Sequence, residues 1–392
     1  MNSSPDSHSG GGVTQRVCYV SHYRHMRMGG QRSMVALISR LDRSRYEPVA
    51  VTPGPGELTD HLEQLGCRVF HVPLCPIKPK LFLQVARNVR RMRKLFKAEQ
   101  IDIVHPDAER DAFVCGLACR SMPTKLVWHV RLTRSHHLDK LNTGFADAVI
   151  GISEGVRQRF NALPGLEGKY HTVYNGVDLE IFRPVDDRGA ARAALGLPRT
   201  GFTLVFVGQL KRGKGIFDLA AAIEMLRARG LSAQQFRCLM IGAAADEATA
   251  IELSHDITAR GIADYVSVLP QQDNIQQWMQ AADALILPSH EGVEGMGRVL
   301  FEAMACGTIA IGSNISGVKD AITADSGVLV EAESPAAIAA AVENLVNSES
   351  ERERLVRGGL ERARSVFSIQ RHAESVQRIY DSLQTRAEVV GL

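Results

Sequence analysis

Residues 284–307 read A-L-I-L-P-S-H-E-G-V-E-G-M-G-R-V-L-F-E-A-M-A-C-G. Four apolar residues, Ala284–Leu287, stop at Pro288. A glycine-rich loop follows, and an apolar stretch of helical spacing opens near Gly297. An apolar run without polar alternation suits a strand covered on both faces, as strands are in parallel sheets. The segment is therefore strand–loop–helix, with its loop at the carboxyl end of the strand, where open α/β sheets bind ligands.

The pattern recurs along the chain. In the first half the runs are Arg16–His22, Pro48–Thr52, Arg68–Val72, Ile101–His105, Lys125–Val130, Ala148–Ile152 and His171–Tyr174. In the second half they are Thr203–Val207, Cys238–Ile241, Val266–Leu269, Ala284–Leu287, Thr308–Ile311 and Val328–Val330. Helical stretches separate them, so the chain reads as two successive doubly wound α/β domains. A boundary is expected near Asn175–Thr200, where Pro184, Gly189, Gly196 and Pro198 surround the charged cluster Asp186–Arg188.

Composition agrees with a globular chain: 392 residues, 45% hydrophobic and 23% charged, which excludes wholesale disorder, collagen-like repeats and coiled coil. No apolar run approaches the ~18 residues of a membrane span. The opening M-N-S-S-P-D-S-H-S-G-G-G lacks the basic and apolar regions of a secretory signal and reads as a flexible tail over residues 1–12. A cytoplasmic location is the expectation. The seven scattered cysteines are expected as reduced, buried thiols, since none has zinc-site spacing. Charge is uneven: residues 1–185 hold 26 Lys and Arg against 17 Asp and Glu, whereas the remainder hold 20 against 26. The basic half points to an anionic partner.

Three loops can carry chemistry. Gly29 and Gly30 precede a helix start, whose outward amides favour phosphate, with Arg24, Arg27 and Arg32 adding charge; a plain turn is the other reading. In F-V-G-Q-L-K-R-G-K-G, residues 206–215, Gly208 permits close approach and Lys211, Arg212 and Lys214 gather charge, as a diphosphate site or as a solvated basic turn. The third is the loop quoted above. Glu294 in the loop and Glu302 inside the helix are placed to line one crevice as hydroxyl acceptors, while the amides of Gly295, Met296, Gly297, Arg298 and Val299 can meet phosphate. Glu291 is a rival carboxylate, but its spacing to Glu302 fits less well.

The third loop resembles the E-G-F-G-x-x-x-x-E-A-M-A-x-G signature of retaining glycosyltransferases of family four, with the GT-B fold. G-G-Q-R-S-M-V-A-L resembles that family's first-domain glycine loop, and V-Y-N-G-V-D-L-E-I-F-R-P (173–184) its interdomain stretch. F-V-G-Q-L-K-R-G-K-G is similar to its V-G-R-L-x-x-x-K-G loop, and A-D-A-V-I-G-I-S-E (146–154) to its A-D-x-V-I-x-V-S-E strand. These segments span residues ~16–331. Two positions depart: Gln209 stands where the family usually has a diphosphate-binding arginine, whose charge an amide cannot replace, and Met296 stands for the usual Phe. Lys211 or Arg212 is placed to compensate.

The resemblance implies two Rossmann-like domains facing across a cleft: an acceptor domain over 13–185 and a nucleotide-sugar donor domain over 186–368. A terminal helix over 369–392 is expected to cross back to the first. The reaction it implies is transfer of a hexose-like sugar from a UDP- or GDP-type donor to an acceptor hydroxyl, with retained configuration, in cell-surface glycan or glycolipid synthesis. Lys214 would stabilise the leaving diphosphate, Glu294 hold the donor sugar and Glu302 the ribose. His129, in W-H-V-R, would contact a sugar hydroxyl; Gly30, Gly208, Gln209, Arg212 and residues 295–299 would complete the donor site. Cofactor and metal are expected to be absent, since no D-x-D-type signature occurs and lysine supplies the charge. A nucleotide-sugar epimerase and a non-catalytic membrane-surface scaffold of the same fold remain open.

Leu81–Ala98 carries six cations and no anion, with Val85, Val89, Met92 and Phe96 at helical spacing. A core-packed helix with a solvated face is one reading. The other is a helix that, with Lys78 and Lys80, brings residues 78–97 to an anionic membrane surface, at ~1 kcal/mol per cation. The partners expected are thus a nucleotide sugar, a sugar or lipid-linked acceptor and the inner face of a membrane. Nucleic acid is not expected.

Overall fold

The structure, a computed structural model, describes residues 14–26 and 29–388. The tail expected over 1–12, and Arg27, lie outside the described residues. Thirteen strands occur among the described residues, one at each apolar run of the sequence. They are β1 (Gln15–Val20), β2 (Tyr46–Thr52), β3 (Arg68–His71), β4 (Ile103–Pro106), β5 (Lys125–Val130), β6 (Ala148–Gly151) and β7 (Tyr170–Thr172), then β8 (Phe202–Val207), β9 (Phe236–Ile241), β10 (Val266–Leu269), β11 (Ala284–Leu287), β12 (Ile309–Ser313) and β13 (Gly327–Val330).

By contact the chain divides into two compact units. One holds the residues up to His129, His137–Ile150 and those from Val376 onward; the other holds Val130–His136 and Gly151–Ser375. Residues 151–185 therefore group with the second unit, where Val177 N–H donates to Phe367 O at 2.7 Å and Ile369 N–H to Val177 O at 2.9 Å.

In the first unit the strand order is β3-β2-β1-β4-β5-β6, with β1 pairing parallel to both β2 and β4. In the second it is β10-β9-β8-β11-β12-β13, again parallel. Each order reverses direction next to its first strand, between β1 and β4 and between β8 and β11. Crossover helices leave the sheet in opposite senses there, which opens a crevice beyond the carboxyl ends of the two strands. The residues of the central strands are buried: Val17, Cys18, Leu204, Phe206, Leu285 and Ile286 are each fully inaccessible. That two-faced burial is why the runs show no polar alternation. Trp128 belongs to the first core.

All seven cysteines are free of disulfides, six of them buried. Burial raises the Cys67 thiol to about 11 and the Cys119 and Cys306 thiols to about 12, so they stay protonated. The basic segment forms a helix, Phe82–Ala98, that buries Asn88, Met92 and Phe96. Asn88 joins the stripe because its amide donates to Pro73 O at 3.2 Å; Val85 and Val89 are only half-buried. Arg93 donates to the carbonyls of Ala118, Leu117 and Arg120, while Lys78, Lys80, Arg87, Arg90, Arg91, Lys94 and Lys97 are exposed.

Candidate functional site

In the second unit the switch point between β8 and β11 gathers the charged residues of two loops. The loop after β8 ends in a single 3-10 turn, Arg212–Lys214, and enters the helix Ile216–Ala228 through Gly215. Gly215 has φ +71°, and a Cβ there would lie 1.9 Å from Pro288 O at the end of β11. Only glycine meets both demands, and the contact locks the two loops together. A backbone bond from His290 N–H to Gly213 O, 2.9 Å, does the same.

Lys214 is thereby brought to Glu294: its ammonium donates to Glu294 Oε1. The Ser289 hydroxyl donates to the same oxygen at 2.7 Å. Both charges are largely withdrawn from water, with side chains 18% and 10% exposed. An ion pair so placed holds each side chain in one rotamer. Glu302, one of the apolar-flanked residues of its helix, is also buried, and Arg298 donates to it at 2.8 Å across one turn. The two carboxylates thus each carry their own cation. His290 Nε2 lies 2.7 Å from Asp218 Oδ2 beside them. Glu291 is turned elsewhere and accepts from Ser316 N–H at 3.2 Å.

The loop 294–297 is clamped at several points. The Ser153 hydroxyl donates to Gly295 O at 2.7 Å, Asn175 N–H to the Met296 sulfur at 3.2 Å, and a Cβ on Gly295 would sit 2.0 Å from Arg131 O. Met296 is buried at 2% exposure, so it fills a core position as an aromatic residue would. Gly297, at φ +59°, caps the helix Arg298–Ala305, and Val299 lies in its first turn. No acidic side chain occupies that turn, which leaves its amides and the positive end of the dipole unopposed by a carboxylate.

After β8, Gly208 N–H donates to Ile241 O at 3.0 Å, and a Cβ on Gly242 would meet Gly208 O at 1.9 Å. Gln209 is exposed. Arg212 pairs with Glu252 and lies over the Phe217 ring at 4.5 Å, while its side chain is 65% exposed. Its charge is directed to Glu252 while Lys214 takes Glu294.

The first unit holds the remaining sequence candidates. Gly30 is the second residue of the helix Gly29–Ser39, whose first turn contains no acid. His129 is fully buried at the end of β5, and its Nδ1 shares a hydrogen bond of 3.0 Å with His105 Nε2. His105 Nδ1 in turn lies 2.5 Å from the Tyr380 hydroxyl, which is 3.1 Å from that of Tyr19. Ser289, His105, Tyr380 and Asp218 were not among the residues the sequence singled out. A hydroxyl just after the proline of β11 and a histidine at the end of β4 are signals that could have found two of them; nothing local marks Tyr380. Among the described residues no group of three or more His, Cys, Asp or Glu is placed to hold a metal.

Residues 187–362 match the family model described as glycosyl transferases group 1, and residues 28–181 match glycosyltransferase family 4. Among curated proteins, D-inositol 3-phosphate glycosyltransferase 1 of Catenulispora acidiphila is 37% identical over 201 residues, 50% of this chain and 47% of that protein. The D-inositol 3-phosphate glycosyltransferase of Jonesia denitrificans is 33% identical over 56% of this chain and 53% of its own. The chain spans about half the length of the curated relatives it matches. Among solved structures, Anabaena HepE in complex with UDP and glucose superposes with a TM-score of 0.79 at 20% identity, over 94% of this chain and 100% of that one. A Rickettsia africae glycosyltransferase gives 0.82 at 17% identity, over 94% and 98%. At these identities the likeness is one of fold: the chain has the GT-B architecture of two Rossmann-like domains.

Proposed function

Because this chain belongs to the group 1, family 4 glycosyltransferases, we propose that it moves a sugar from a nucleoside-diphosphate sugar to an acceptor hydroxyl. The observation that carries the reading is the Lys214–Glu294 pair at the β8/β11 switch point, next to a helix start with no acid in its first turn.

The difficult event is departure of the diphosphate from an oxocarbenium-like carbon. Charge then grows on the phosphate oxygens, and a fixed cation with aligned amides stabilises that growth more than the ground state. Lys214 and the amides of Gly297–Val299 take this role. Glu294 holds the ammonium through Oε1 and presents Oε2 to hydroxyls of the donor sugar; Glu302, held by Arg298, accepts from the ribose. Gly208, at the carboxyl end of β8, lets phosphate approach the backbone. Gln209 contributes hydrogen bonds without charge, so Lys214 carries most of the electrostatic work. Attack on the same face, with the acceptor proton passing to the leaving phosphate, retains configuration and requires neither a base nor a divalent cation.

For the acceptor, the names of the curated relatives support a phosphorylated polyol, and D-inositol 3-phosphate is the first compound to try. The helix Phe82–Ala98 supports a membrane-bound setting: Phe82 and Leu83 are 65% and 60% exposed amid the seven exposed cations of residues 78–97. That combination suits an anionic lipid surface, on which a glycolipid acceptor would be met.

The test is a panel of UDP- and GDP-sugars scored first by thermal shift, since a ligand that binds the folded state raises its melting temperature. Hits are then assayed for transfer to D-inositol 3-phosphate. Stabilisation by one nucleotide sugar and a glycosylated product are expected. A rearranged sugar nucleotide formed without acceptor would replace the reading with an epimerase, and no nucleotide binding at all would leave only a scaffold.

A further inference from the structure

The first sheet has its own switch point, between β1 and β4, and it holds a pair of residues that the donor chemistry does not use. His22 lies two residues beyond β1, and Asp111 sits in the first turn of the helix Glu109–Cys119 that follows β4. Asp111 Oδ2 accepts two hydrogen bonds from His22, from its backbone N–H at 3.1 Å and from its ring Nδ1 at 2.8 Å. A carboxylate only accepts, so Nδ1 carries a ring proton, and in the neutral imidazole Nε2 is the nitrogen that keeps a lone pair. The Asp111 side chain is fully buried, whereas the imidazole remains 15% exposed. The pair is thus a buried anchor with one accessible end.

Its surroundings are an aromatic ring and charges of both signs. The imidazole lies against the Tyr23 ring, tilted by 34°, with centroids 4.0 Å apart. Arg110 Nε is 3.9 Å from Asp111 Oδ1, and Glu109, Asp107 and Arg110 act on Tyr23 from the same helix and its approach. The second bond partners the buried carboxylate and at the same time fixes the orientation of the imidazole.

We propose that His22, oriented by Asp111, is a hydroxyl-binding residue of the acceptor site, its Nε2 accepting a hydrogen bond from a hydroxyl of a phosphorylated polyol. This rests on the transferase reading above. His22 touches the acceptor; Asp111 is a positioning residue that acts through it.

The experiment uses the full chain, with UDP as the probe of the donor loops and D-inositol 3-phosphate as the probe of the acceptor site, both by calorimetry. His22→Ala is expected to weaken D-inositol 3-phosphate at least tenfold while UDP affinity stays within twofold. His22→Gln, whose amide oxygen reaches toward the Nε2 position, is expected to recover part of the loss. Unchanged D-inositol 3-phosphate affinity in both variants overturns the proposal. So does a parallel fall in UDP affinity, which would report a role in folding only, and so does wild-type protein that binds UDP but not D-inositol 3-phosphate. Wild-type protein that does not bind UDP overturns the transferase reading instead.

Discussion

The ammonium of Lys214 donates to Glu294 Oε1, the oxygen that also receives the Ser289 hydroxyl. One carboxylate oxygen is thus committed to holding a cation. Lys214→Ala removes the charge offered to the leaving diphosphate, and loss of one such fixed donor costs roughly 10²–10³ in rate. Glu294→Ala lets the ammonium wander and deletes the sugar contact, with a loss at least as large. Transfer assays with unchanged far-UV dichroism check this. Wild-type rates in both variants would remove these residues from the site.

Gly215→Ala tests the joint between the two loops. A left-handed non-glycine residue costs on the order of 1–3 kcal/mol, and the new Cβ would also collide with Pro288 O. Denaturant melts should show that loss, with nucleotide affinity falling further than in a surface Gly→Ala control such as Gly230→Ala, where a Cβ meets nothing within 4 Å.

Arg192 is a structural counterpart. Its guanidinium, 5% exposed as a residue, donates to Asp283 at 2.5 Å, to Ala281 O at 2.8 Å and to Gly201 O at 3.0 Å. Arg192→Ala removes these bonds and leaves Asp283 with Arg188 and the Thr203 N–H, so a loss of about 1.5–3 kcal/mol is expected from urea unfolding. Donor affinity at permissive temperature should be unchanged.

His372 makes stability depend on pH. Burial lowers its pKa to about 4, with Arg131 and Arg298 acting in the same sense and the hydrogen bond to Tyr174 O opposing. The unfolded chain therefore binds a proton that the folded chain refuses between about pH 6.5 and 4. Stability is full above the unfolded value and declines as pH falls through that window, by on the order of 3 kcal/mol. His372→Asn should flatten that part of the curve in pH-dependent urea melts. An unchanged slope would show that another group titrates there.

The helix Phe82–Ala98 predicts binding to vesicles. Co-sedimentation with liposomes containing anionic lipid should be clear at low salt and weak at high salt. At ~1 kcal/mol per cation, Arg87→Glu together with Arg91→Glu should reduce it more than tenfold. Leu83→Ser should weaken it without altering the salt dependence. Equal binding to neutral vesicles would contradict the electrostatic part.

Strand existence was legible residue by residue: β8 and β11 are apolar because both their faces are covered, a condition written into every position of the run. Gly215 and Gly297 were likewise readable as loop residues, since backbone geometry is a local demand. The character of the third loop, two carboxylates with helix-start amides, followed from spacing along one segment. Two features of the helix Phe82–Ala98 were not visible locally. Asn88 faces inward because a carbonyl from another segment meets it, and Arg93 is spent on the end of a neighbouring helix.

Pairing is what the folded chain alone decided. Lys214 and Glu294 are 80 residues apart, and His22 and Asp111 are 89 apart. No periodicity links them, because the reversal of strand order brings them together and that reversal is a property of the whole sheet. The assignment of Arg212 to Glu252 and of Lys214 to Glu294 is of the same kind. A chain of side chains states which charges exist. Only packing, which fixes the distance between them and excludes water from the gap, determines which charge answers which.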